Sequence, residues 1–407
     1  MIRRLARALI NSKWHLSSLV LLDGLWLPKP LKPSDKPNQR TLVLAPPSAK
    51  NLGDQAMAFA VARYSDWGSL LLVGEPDEII YKHMGLDTVV VQNLFSLNPF
   101  SRFSAKRKFI HLLKGFEEFV VIGADTLDGL YSAYESVRRI SMVSLAVRLG
   151  IRTRIVGFSW PDNPNFHAAE AIRGLAPDTL FVPRDVVSFA RFKDQISPLF
   201  LHQGADLAFS LGDFKSVTSS DWIRLQRSGG RKILGLNLNG HQNRNFNFFE
   251  TYVHIIDFAL NAGWSIGLLS HDSRSGVSDL DLAQALVSMF PAKPVRLLQK
   301  GEYFFETRDI CSQMDLVITG RMHIGILSMS VQTPAAIVES GAIGKVSGLL
   351  EMLSLEELRI EANGQLYEAA TRVLSTFEDM SPLWKVKLRE GIPQMVKLSF
   401  ENYKNLS

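Results

Sequence analysis

Short apolar runs alternate with helix-length amphipathic segments along most of the chain. Runs such as TLVLAPPS (41–48), FVVIG (119–123) and IRTRIVGFSW (151–160) have the length of buried strands, and glycine or proline ends several of them. Segments such as SAYESVRRISMVSLAVRLG (132–150), which ends at Gly150, have the length and pattern of helices. Such alternation is typical of parallel sheets covered by helices on both faces, so the pattern predicts an α/β fold.

A polar stretch interrupts the alternation near the middle of the chain. Residues 215–230 (KSVTSSDWIRLQRSGG) are mostly polar and end in two glycines, which is typical of a linker. The chain has 407 residues, more than one ordinary hydrophobic core accommodates. We therefore predict two doubly wound, Rossmann-like domains, residues 41–214 and 231–407, with terminal helices at the end of the second and a cleft between the two.

The first 40 residues differ from the rest of the chain. Arg3, Arg7 and Lys13 alternate with aliphatic residues, which predicts a basic amphipathic helix. The apolar run 16–27 is interrupted by Asp23 and is shorter than the roughly 20 residues that a membrane span requires. Two interpretations remain open: the segment docks on the first domain, or it lies on an anionic membrane surface.

The charge distribution argues against a nucleic-acid partner. The net charge is +5, and Lys and Arg form no block after residue 13. Proteins that bind nucleic acids usually concentrate their cations in one run or on one face, so we expect no nucleic acid. A mild positive excess also suits an anionic small substrate.

Cysteine and histidine usage argues against a metal centre. Cys311 is the single cysteine, which excludes an internal disulfide and any cysteine cluster; we expect it to be buried and inert. His241, His254 and His271 lack the spacing of metal-binding motifs, so no metal is expected. This usage fits a reducing, cytoplasmic compartment, with any membrane contact peripheral at the inner face.

The most informative stretch is DLVITGRMHIGILSMSVQTPAAIVESGAIGKVSGLL (315–350). Two short apolar runs flank a helix-length segment punctuated by glycine and proline, which predicts a parallel βαβ unit. Ligands bind beyond the carboxyl ends of parallel strands. That edge carries Arg321, His323, Glu339 and Lys345.

Arg321 and His323 are the residues best suited to chemistry. Arg321 stands where the helix begins, so its guanidinium and the free amides of the first turn are suited to bind one anion. His323 is suited to proton transfer near neutral pH. Within a helix the two side chains would point about 200° apart, so they converge only if the strand-to-helix turn extends to Arg321. The alternative is that Arg321 closes a structural ion pair and that His323 is a core histidine.

A second turn, SAKNLGDQA, follows the first strand of the chain. Gly53 allows a positive φ, and Asn51 and Asp54 are suited to cap the helix that begins here, whose first-turn amides are free. The turn is neither a dinucleotide fingerprint nor a Walker motif. Helix capping alone would also explain it.

Two further strand ends carry charged residues. GADTLDG contains Gly123, Asp125 and Asp128, and its two carboxylates would act as a paired acid and base, bind magnesium, or cap the next helix. VPRD contains Arg184 and Asp185. Arg184 is a candidate for binding an anion, and Asp185 is a candidate N-cap.

Taken in order, these motifs resemble those of the polysaccharide pyruvyl transferase family over roughly residues 41–360. The family pattern has a GNxGD-type turn, a glycine-rich strand end followed by Asp, an R-[DE]-x-x-S motif and an R-x-H motif before a G-x-P-strand segment. The chain carries NLGDQA, IGADTLDGLYS, VPRDVVS, QGADLAFSL and TGRMHIGILSMSVQTPAAIVESGAIGKVSGLLEML. Ala49-Lys50 replaces the usual aromatic-glycine lead-in to the turn, and GAD replaces the common GGG.

The resemblance implies a fold similar to the glycosyltransferase B class and phosphoenolpyruvate as the donor. The product would be a pyruvate ketal on a sugar of a surface polysaccharide or its lipid-linked precursor, formed without a cofactor. Arg321 and Arg184 would anchor the carboxylate and phosphate of the donor, and His323 would act beside Arg321 as the catalytic acid or base. The other substrate contacts would come from Asn51, Gly53, Asp54, Gly123, Asp125, Glu339 and Lys345.

Two other functions compete with this one. A nucleotide-sugar glycosyltransferase of the same architecture would hold a ribose with Glu339 and a diphosphate with Arg321 or Lys345. An inactive family member would serve as an assembly partner at the membrane, with its basic N-terminus as the contact.

Overall fold

The computed structural model describes residues 41–64, 69–96, 98–175, 179–211, 220–272, 278–341 and 344–404. The basic segment 1–40 lies outside the described residues, so both interpretations of it stay predictions. Contacts divide the chain into two compact units. Among the described residues, the first unit comprises 41–49, 57–207 and 400–404, and the second comprises 50–56 and the described parts of 208–399.

The first unit is built on a seven-stranded sheet with the strand order β3-β2-β1-β4-β5-β6-β7. Its strands are β1 (Thr41–Leu44), β2 (Ser69–Val73), β3 (Thr88–Val90), β4 (Glu118–Ala124), β5 (Arg152–Phe158), β6 (Leu180–Pro183) and β7 (Phe200–Leu201). Its helices are α2 (Glu78–His83), α3 (Pro99–Leu113), α4 (Ala133–Arg148), α5 (Phe166–Arg173) and α6 (Val186–Ile196). The first helix of the chain, α1 (Leu52–Tyr64), belongs to this unit from residue 57 onward. The chain winds outward from β1 to β3 and then returns past β1, so the winding direction reverses between β1 and β4.

The second unit repeats this topology in a six-stranded sheet with the order β10-β9-β8-β11-β12-β13. Its strands are β8 (Lys232–Asn237), β9 (Trp264–Leu269), β10 (Val295–Gln299), β11 (Leu316–Thr319), β12 (Ala335–Glu339) and β13 (Arg359–Glu361). Its helices are α7 (Asp221–Ser228), α8 (Gly240–Phe246), α9 (Phe249–Asn261), α10 (Asp279–Met289), α11 (Phe304–Cys311), α12 (Met322–Met329), α13 (Lys345–Met352), α14 (Leu366–Ser375) and α15 (Phe377–Ser399). Here the winding reverses between β8 and β11.

The predicted α/β fold is confirmed. Neighbouring strands of both sheets pair in parallel, and helices alternate with strands. β4 and β11 are buried along their whole length, because helices cover both faces of a parallel sheet. In such sheets the crevice at the winding reversal, outside the carboxyl ends of the strands, is the usual ligand site.

The two units divide the chain differently from the predicted domains. Residues 208–211, predicted to end the first domain, belong to the second unit. Residues 50–56 join the second unit, where the Gln55 side chain donates to the Glu302 carbonyl and accepts from the Phe304 amide at 2.8 and 3.1 Å. Residues 221–228 form α7 rather than part of a linker. Residues 400–404 join the first unit, where Asn402 Nδ2 donates to the Ala205 carbonyl at 3.0 Å.

The longest of the described helices, α15, packs by one face. Its buried residues include Phe377, Trp384, Leu388 and Met395, a spacing that places them on one side of a helix. Within the described part of the chain, no helix combines the length and the apolar character that crossing a membrane would require.

The thiol of Cys311 is expected to react far more slowly in the folded protein than in the unfolded chain. Cys311 is fully buried, and burial raises the pKa of its thiol from 9.0 to about 12. Only the thiolate is nucleophilic, so labelling with a chromogenic disulfide at pH 8 should be at least about 100-fold faster in denaturant. Rapid labelling of native protein would contradict this.

The same pKa shift predicts how stability depends on pH. Between pH 9 and about 12 the Cys311 thiol is ionised in the unfolded chain and protonated in the folded one, so unfolding releases a proton. The contribution of Cys311 to the free energy of unfolding is therefore complete below pH 9 and is lost as the pH rises toward 12.

Candidate functional site

The turn between β11 and α12 positions the two residues at the centre of the sequence-based hypothesis. Arg321 has an extended backbone, with φ −118° and ψ 114°, and is the N-cap residue, so α12 begins at Met322. Thr319 Oγ1 accepts a hydrogen bond from the Arg321 amide at 2.9 Å. Because Arg321 lies outside the helix, the angle that separates two helical side chains does not apply to Arg321 and His323.

Close packing requires a glycine immediately before Arg321. An ideal Cβ on Gly320 would lie 2.3 Å from Gln242 Oε1 and 2.6 Å from Asn239 Cβ. Asn239 Nδ2 donates to the Gly320 carbonyl at 2.6 Å. Asn239 and Gln242, which follow β8, therefore hold the turn that follows β11. β8 and β11 are adjacent strands, and the winding direction reverses between them.

Two buried aspartates hold the guanidinium of Arg321. Arg321 Nε and Nη2 donate to Asp279 Oδ2 and Oδ1 at 3.0 and 2.7 Å, and Nη2 lies 3.5 Å from Asp272 Oδ2. Asp272 and Asp279 are 0% and 1% exposed. Arg321 Nη1 makes no hydrogen bond to any residue that the structure describes. The ion pair of the structural alternative is thus present, and among the described residues it leaves Nη1 without an acceptor.

Asp279 connects Arg321 to the end of β8. Its carboxylate also accepts from the Gly240 amide at 2.9 Å and from Asn237 Nδ2 at 3.1 Å. As the first residue of α10 it lies at the positive end of that helix, which favours a carboxylate. Burial and the nearby charge of Asp279 raise the pKa of Tyr252, whose hydroxyl donates to the Asn237 carbonyl at 3.2 Å.

A second histidine lies beside His323. The imidazoles of His271 and His323 are buried, and their rings are nearly parallel, with centroids 6.2 Å apart and 7° between the planes. His271 follows β9 and His323 lies in the first turn of α12. In the sequence, His271 was considered only among the histidines that lack metal-binding spacing.

The turn at Asn51 packs against both histidines. Asn51 Oδ1 accepts from the amides of Gly53 and Asp54 at 2.9 and 3.2 Å and lies 3.1 Å from His271 Nε2. An ideal Cβ on Gly53 would lie 2.1 Å from His323 Nδ1, so the glycine backbone lies directly against that imidazole. Asn51 and Gly53 therefore belong to the same site as His323, and Asp54 follows Gly53 in the first turn of α1.

Glu339 is the last residue of β12, the next strand of the same sheet, and Lys345 is the first residue of the helix that follows. Glu339 accepts from the Val346 amide, Ser347 Oγ and Arg359 Nε at 2.9, 2.7 and 2.7 Å. Burial opposes the charge of Arg359, but its bonds to carboxylates outweigh burial, and its pKa is raised. Glu339 thus has structural partners at the start of α13, the helix that Lys345 opens.

Arg184 is fully enclosed in the first unit. Its Nε donates to Ser159 Oγ at 2.9 Å, its Nη1 lies 3.2 Å from Asp206 Oδ2, and its Nη2 donates to Asp125. Its side chain is 1% exposed, whereas that of Asp125 is 31% exposed. Burial opposes the charge of Arg184, but the surrounding aspartates outweigh it and raise the pKa of the guanidinium. Arg184 therefore holds Asp125 in place, with each of its nitrogens already bonded.

Gly123 and Asp185 have structural explanations. An ideal Cβ on Gly123 would lie 2.6 Å from Phe158 Cβ, so glycine allows β4 and β5 to pack at this edge. Asp185 Oδ1 accepts from the Ser188 amide at 2.8 Å, which confirms Asp185 as the N-cap of α6.

A sequence model of one protein family, described as polysaccharide pyruvyl transferase, matches residues 87–341. The match covers more than half of the 407 residues. This chain belongs to the polysaccharide pyruvyl transferase family. The resemblance found in the sequence motifs is confirmed. The family match contains the strand ends that carry Asp125, Arg184 and Arg321, whereas Asn51 lies before its first residue.

Several solved structures are similar in fold to this pyruvyl transferase family member. A putative UDP-N-acetylglucosamine 2-epimerase from Listeria monocytogenes has a TM-score of 0.58 at 8% identity, over 89% of this chain and 92% of that one. The MnaA-UDP co-structure from S. aureus has a TM-score of 0.56 at 10% identity, over 90% and 93%. A glycosyltransferase from Rickettsia africae ESF-5 has a TM-score of 0.55 at 10% identity, over 90% and 100%. These likenesses concern the fold and confirm its resemblance to the glycosyltransferase B class. The comparison with curated protein sequences gave no match.

Replacing Ala124 with glycine is expected to raise the free energy of unfolding by about 1 kcal/mol. Ala124 stands within the strand end where the pyruvyl transferase family commonly has GGG, and it adopts a left-handed backbone with φ 48°. Glycine adopts this conformation without steric cost. Urea unfolding measures the change. Ala336→Gly in β12, whose backbone is ordinary strand, serves as the control and should be destabilising; a similar loss in both variants would contradict the prediction.

Sequence reasoning missed the carboxylates that hold the arginines of this pyruvyl transferase family member. Asp272 and Asp279 hold Arg321, and Asp206 shares Arg184 with Asp125. A usable signal existed for Asp272, because the SHD sequence directly follows the apolar run of β9 and therefore lies at the carboxyl edge. For Asp279 the local pattern indicates only the first turn of a helix after Ser278.

Proposed function

We propose that this protein transfers the pyruvate moiety of phosphoenolpyruvate to a saccharide and forms a ketal on two hydroxyls of one sugar. The observation that carries the proposal is an anchored arginine two residues before a histidine at the carboxyl edge of a parallel sheet, in a chain of the pyruvyl transferase family. The acceptor in this proposal is a surface polysaccharide or its lipid-linked precursor.

The chemistry balances without a cofactor or a metal. The methylene carbon of phosphoenolpyruvate takes up a proton, which makes its C2 electrophilic. One sugar hydroxyl attacks C2, the bond from C2 to the phosphate oxygen breaks, and a second hydroxyl closes the ketal. Of the two hydroxyl protons released, one replaces the proton taken up at carbon and the other leaves with inorganic phosphate.

Arg321 is the donor anchor in this scheme. The side-on pair with Asp279 fixes the orientation of its guanidinium, so little side-chain entropy is lost when a ligand binds. In this scheme the charged Nη1 donates a hydrogen bond to one anionic group of phosphoenolpyruvate. The first-turn amides of α12 are suited to the same anion. Arg184 was the other predicted anchor, but its nitrogens bond to Ser159, Asp206 and Asp125, so we assign it to holding Asp125.

His323 is the proton-transfer group in this scheme. It lies in the first turn of α12, two residues after Arg321, so a donor held by Arg321 would lie close to its imidazole. An imidazole both gives and accepts protons near neutral pH. We assign it the proton that C3 receives or the proton that a hydroxyl loses.

The carboxylates orient the acceptor in this scheme. Asp125 is the partly exposed member of the Arg184 network, so it is suited to accept a hydrogen bond from a sugar hydroxyl. Asp54 lies in the first turn of α1 and is assigned the same role. Glu339 already binds Arg359, and its role here is to hold the start of α13, from which Lys345 extends.

Phosphoenolpyruvate is expected to raise the unfolding temperature by about 5 °C at about 100 times its Kd, because a ligand that binds only the folded state stabilises it. Arg321→Lys keeps a cation beside Asp279 but loses the planar fork, so the shift should fall and the apparent Kd should rise at least about 10-fold. Arg231→Lys is the matched control; Arg231 is an arginine of the second unit whose Nη2 donates to the Trp264 carbonyl. It should retain the full shift.

Nucleotide sugars belong in the same experiment, since one similar fold is that of a UDP co-structure. A shift with a nucleotide sugar alone would replace the proposal with glycosyl transfer. If neither class of ligand gives a shift and phosphoenolpyruvate releases no phosphate with methyl hexopyranosides, the inactive assembly partner would be favoured.

A further inference from the structure

The side-chain oxygen of Asn51, Oδ1, accepts three hydrogen bonds. Two come from the backbone amides of Gly53 and Asp54, which fixes the orientation of the Asn51 amide, because its NH2 group could not face two N–H donors. The third contact, to His271 Nε2 at 3.1 Å, must therefore be donated by the imidazole. His271 therefore carries a hydrogen on Nε2 and donates a hydrogen bond from it to Asn51 Oδ1.

His271 also holds this turn through its backbone. The Leu52 amide donates to the His271 carbonyl at 3.4 Å, and Asn51 forms an antiparallel bridge with Asp272. These backbone contacts survive substitution of the imidazole. A change of the His271 side chain therefore removes the hydrogen bond to Asn51 Oδ1 and leaves these two backbone contacts in place.

The turn transmits this hydrogen bond to His323. Gly53 lies two residues after Asn51, within the turn that Asn51 Oδ1 closes. Its missing Cβ would overlap three atoms of the His323 imidazole, at 2.1, 2.3 and 2.5 Å. The position of Gly53 thus limits where that ring lies. Near-parallel packing of the His271 ring at 6.2 Å is a second geometric link between the two histidines.

We propose that His271 is a positioning residue that acts on His323 through Asn51 and Gly53. Its Nε2–H holds the turn closed, and the closed turn holds the His323 imidazole in the orientation required for proton transfer. The kinetic part of this inference rests on the proposed function. Arg321 keeps its own carboxylates, so donor binding does not depend on the His271 side chain.

A pair of substitutions tests the hydrogen bond. His271→Leu removes the donor and keeps a buried side chain, whereas His271→Gln keeps an N–H near the position of Nε2. In assays with phosphoenolpyruvate and methyl hexopyranosides, His271→Leu should lower kcat about 10–100-fold with KM for phosphoenolpyruvate within about twofold, because misplacement of a catalytic group has effects of this size. His271→Gln should recover kcat to within about fivefold of wild type. Equal losses in both variants, or wild-type kcat in His271→Leu, would overturn the proposal.

Asn51→Ala combined with His271→Leu provides the second kinetic test. If both residues act through one hydrogen bond, the double variant should lose no more than about threefold beyond the worse single variant. Fully multiplicative losses would show independent roles and overturn the proposal.

Ring nitrogen NMR spectra of the full-length protein test the geometry without turnover. Wild-type His271 should show the Nε2–H tautomer. The ring resonances of His323 should shift in His271→Leu and remain near their wild-type positions in His271→Gln. Unchanged His323 resonances in His271→Leu would overturn the positioning role. The predicted shifts in a protein that transfers no pyruvate would support the positioning role and count against the proposed function alone.

Discussion

Replacing Asp279 with alanine is expected to lower the free energy of unfolding by about 3–5 kcal/mol, because removing one partner of a buried ion pair leaves the other charge uncompensated. Arg321 is about one-tenth exposed, and Asp279 supplies both oxygens that its Nε and Nη2 bind. The Gly240 amide and Asn237 Nδ2 would lose their acceptor as well. Urea unfolding followed by circular dichroism measures the change.

Asp281 provides the matched control for Asp279. Both residues lie in the first turn of α10, but Asp281 is exposed. Asp281→Ala should therefore cost only the weak interaction with the helix dipole, about 0.3–1 kcal/mol. Adding Arg321→Met to Asp279→Ala removes the stranded cation and should recover part of the stability. A loss below 1 kcal/mol in Asp279→Ala would show that water compensates the guanidinium and that this network is not buried.

Replacing His323 with glutamine is expected to lower kcat for pyruvyl transfer about 10²–10⁴-fold, the usual contribution of a positioned acid or base. Glutamine keeps a hydrogen-bonding group at this place but does not exchange protons near neutral pH. Arg321 still binds the donor, so KM for phosphoenolpyruvate should change little. Release of inorganic phosphate in the presence of methyl hexopyranosides measures the rate.

His254→Gln is the control for His323, because His254 is an exposed histidine on α9 of the same unit and should leave kcat unchanged. Gly53→Ala provides a second perturbation without changing a functional group. Its new Cβ would overlap the His323 ring, so kcat should fall about 100-fold. A His323→Gln variant with more than a tenth of wild-type kcat would exclude the imidazole as the principal proton-transfer group.

The sequence predicted those features that depend on local pattern. Alternation of apolar runs with helical segments is enough for the parallel sheets, because strand burial and helix periodicity are encoded within about 5 to 15 neighbouring residues. The extended backbone of Arg321 was only a condition in the sequence analysis, but its cause is also local, since a Thr-Gly pair precedes it and Thr319 Oγ1 accepts a hydrogen bond from its amide. Asp185 as an N-cap also depends only on its neighbours.

Interactions between distant strands were not predictable in this way. Arg184 and Arg321 both stand at the end of a predicted strand, yet Arg184 is enclosed by Ser159, Asp206 and Asp125, whereas Arg321 keeps one nitrogen unbonded within the described residues. Asp279 is 42 residues away from Arg321 in sequence. It reaches Arg321 because the strand order places β8 between β9 and β11, and no local pattern encodes that order.

Residues 50–56 have a consequence for how members of this family can be recombined. They precede most of the first unit along the chain but pack within the second, where Gly53 contacts His323. A chimaera joined near residue 208 would combine the histidines of one parent with the glycine turn of the other. Exchange of the second unit between homologues therefore requires two gene fragments, and substitutions in residues 50–56 should be inherited together with those around His271 and His323.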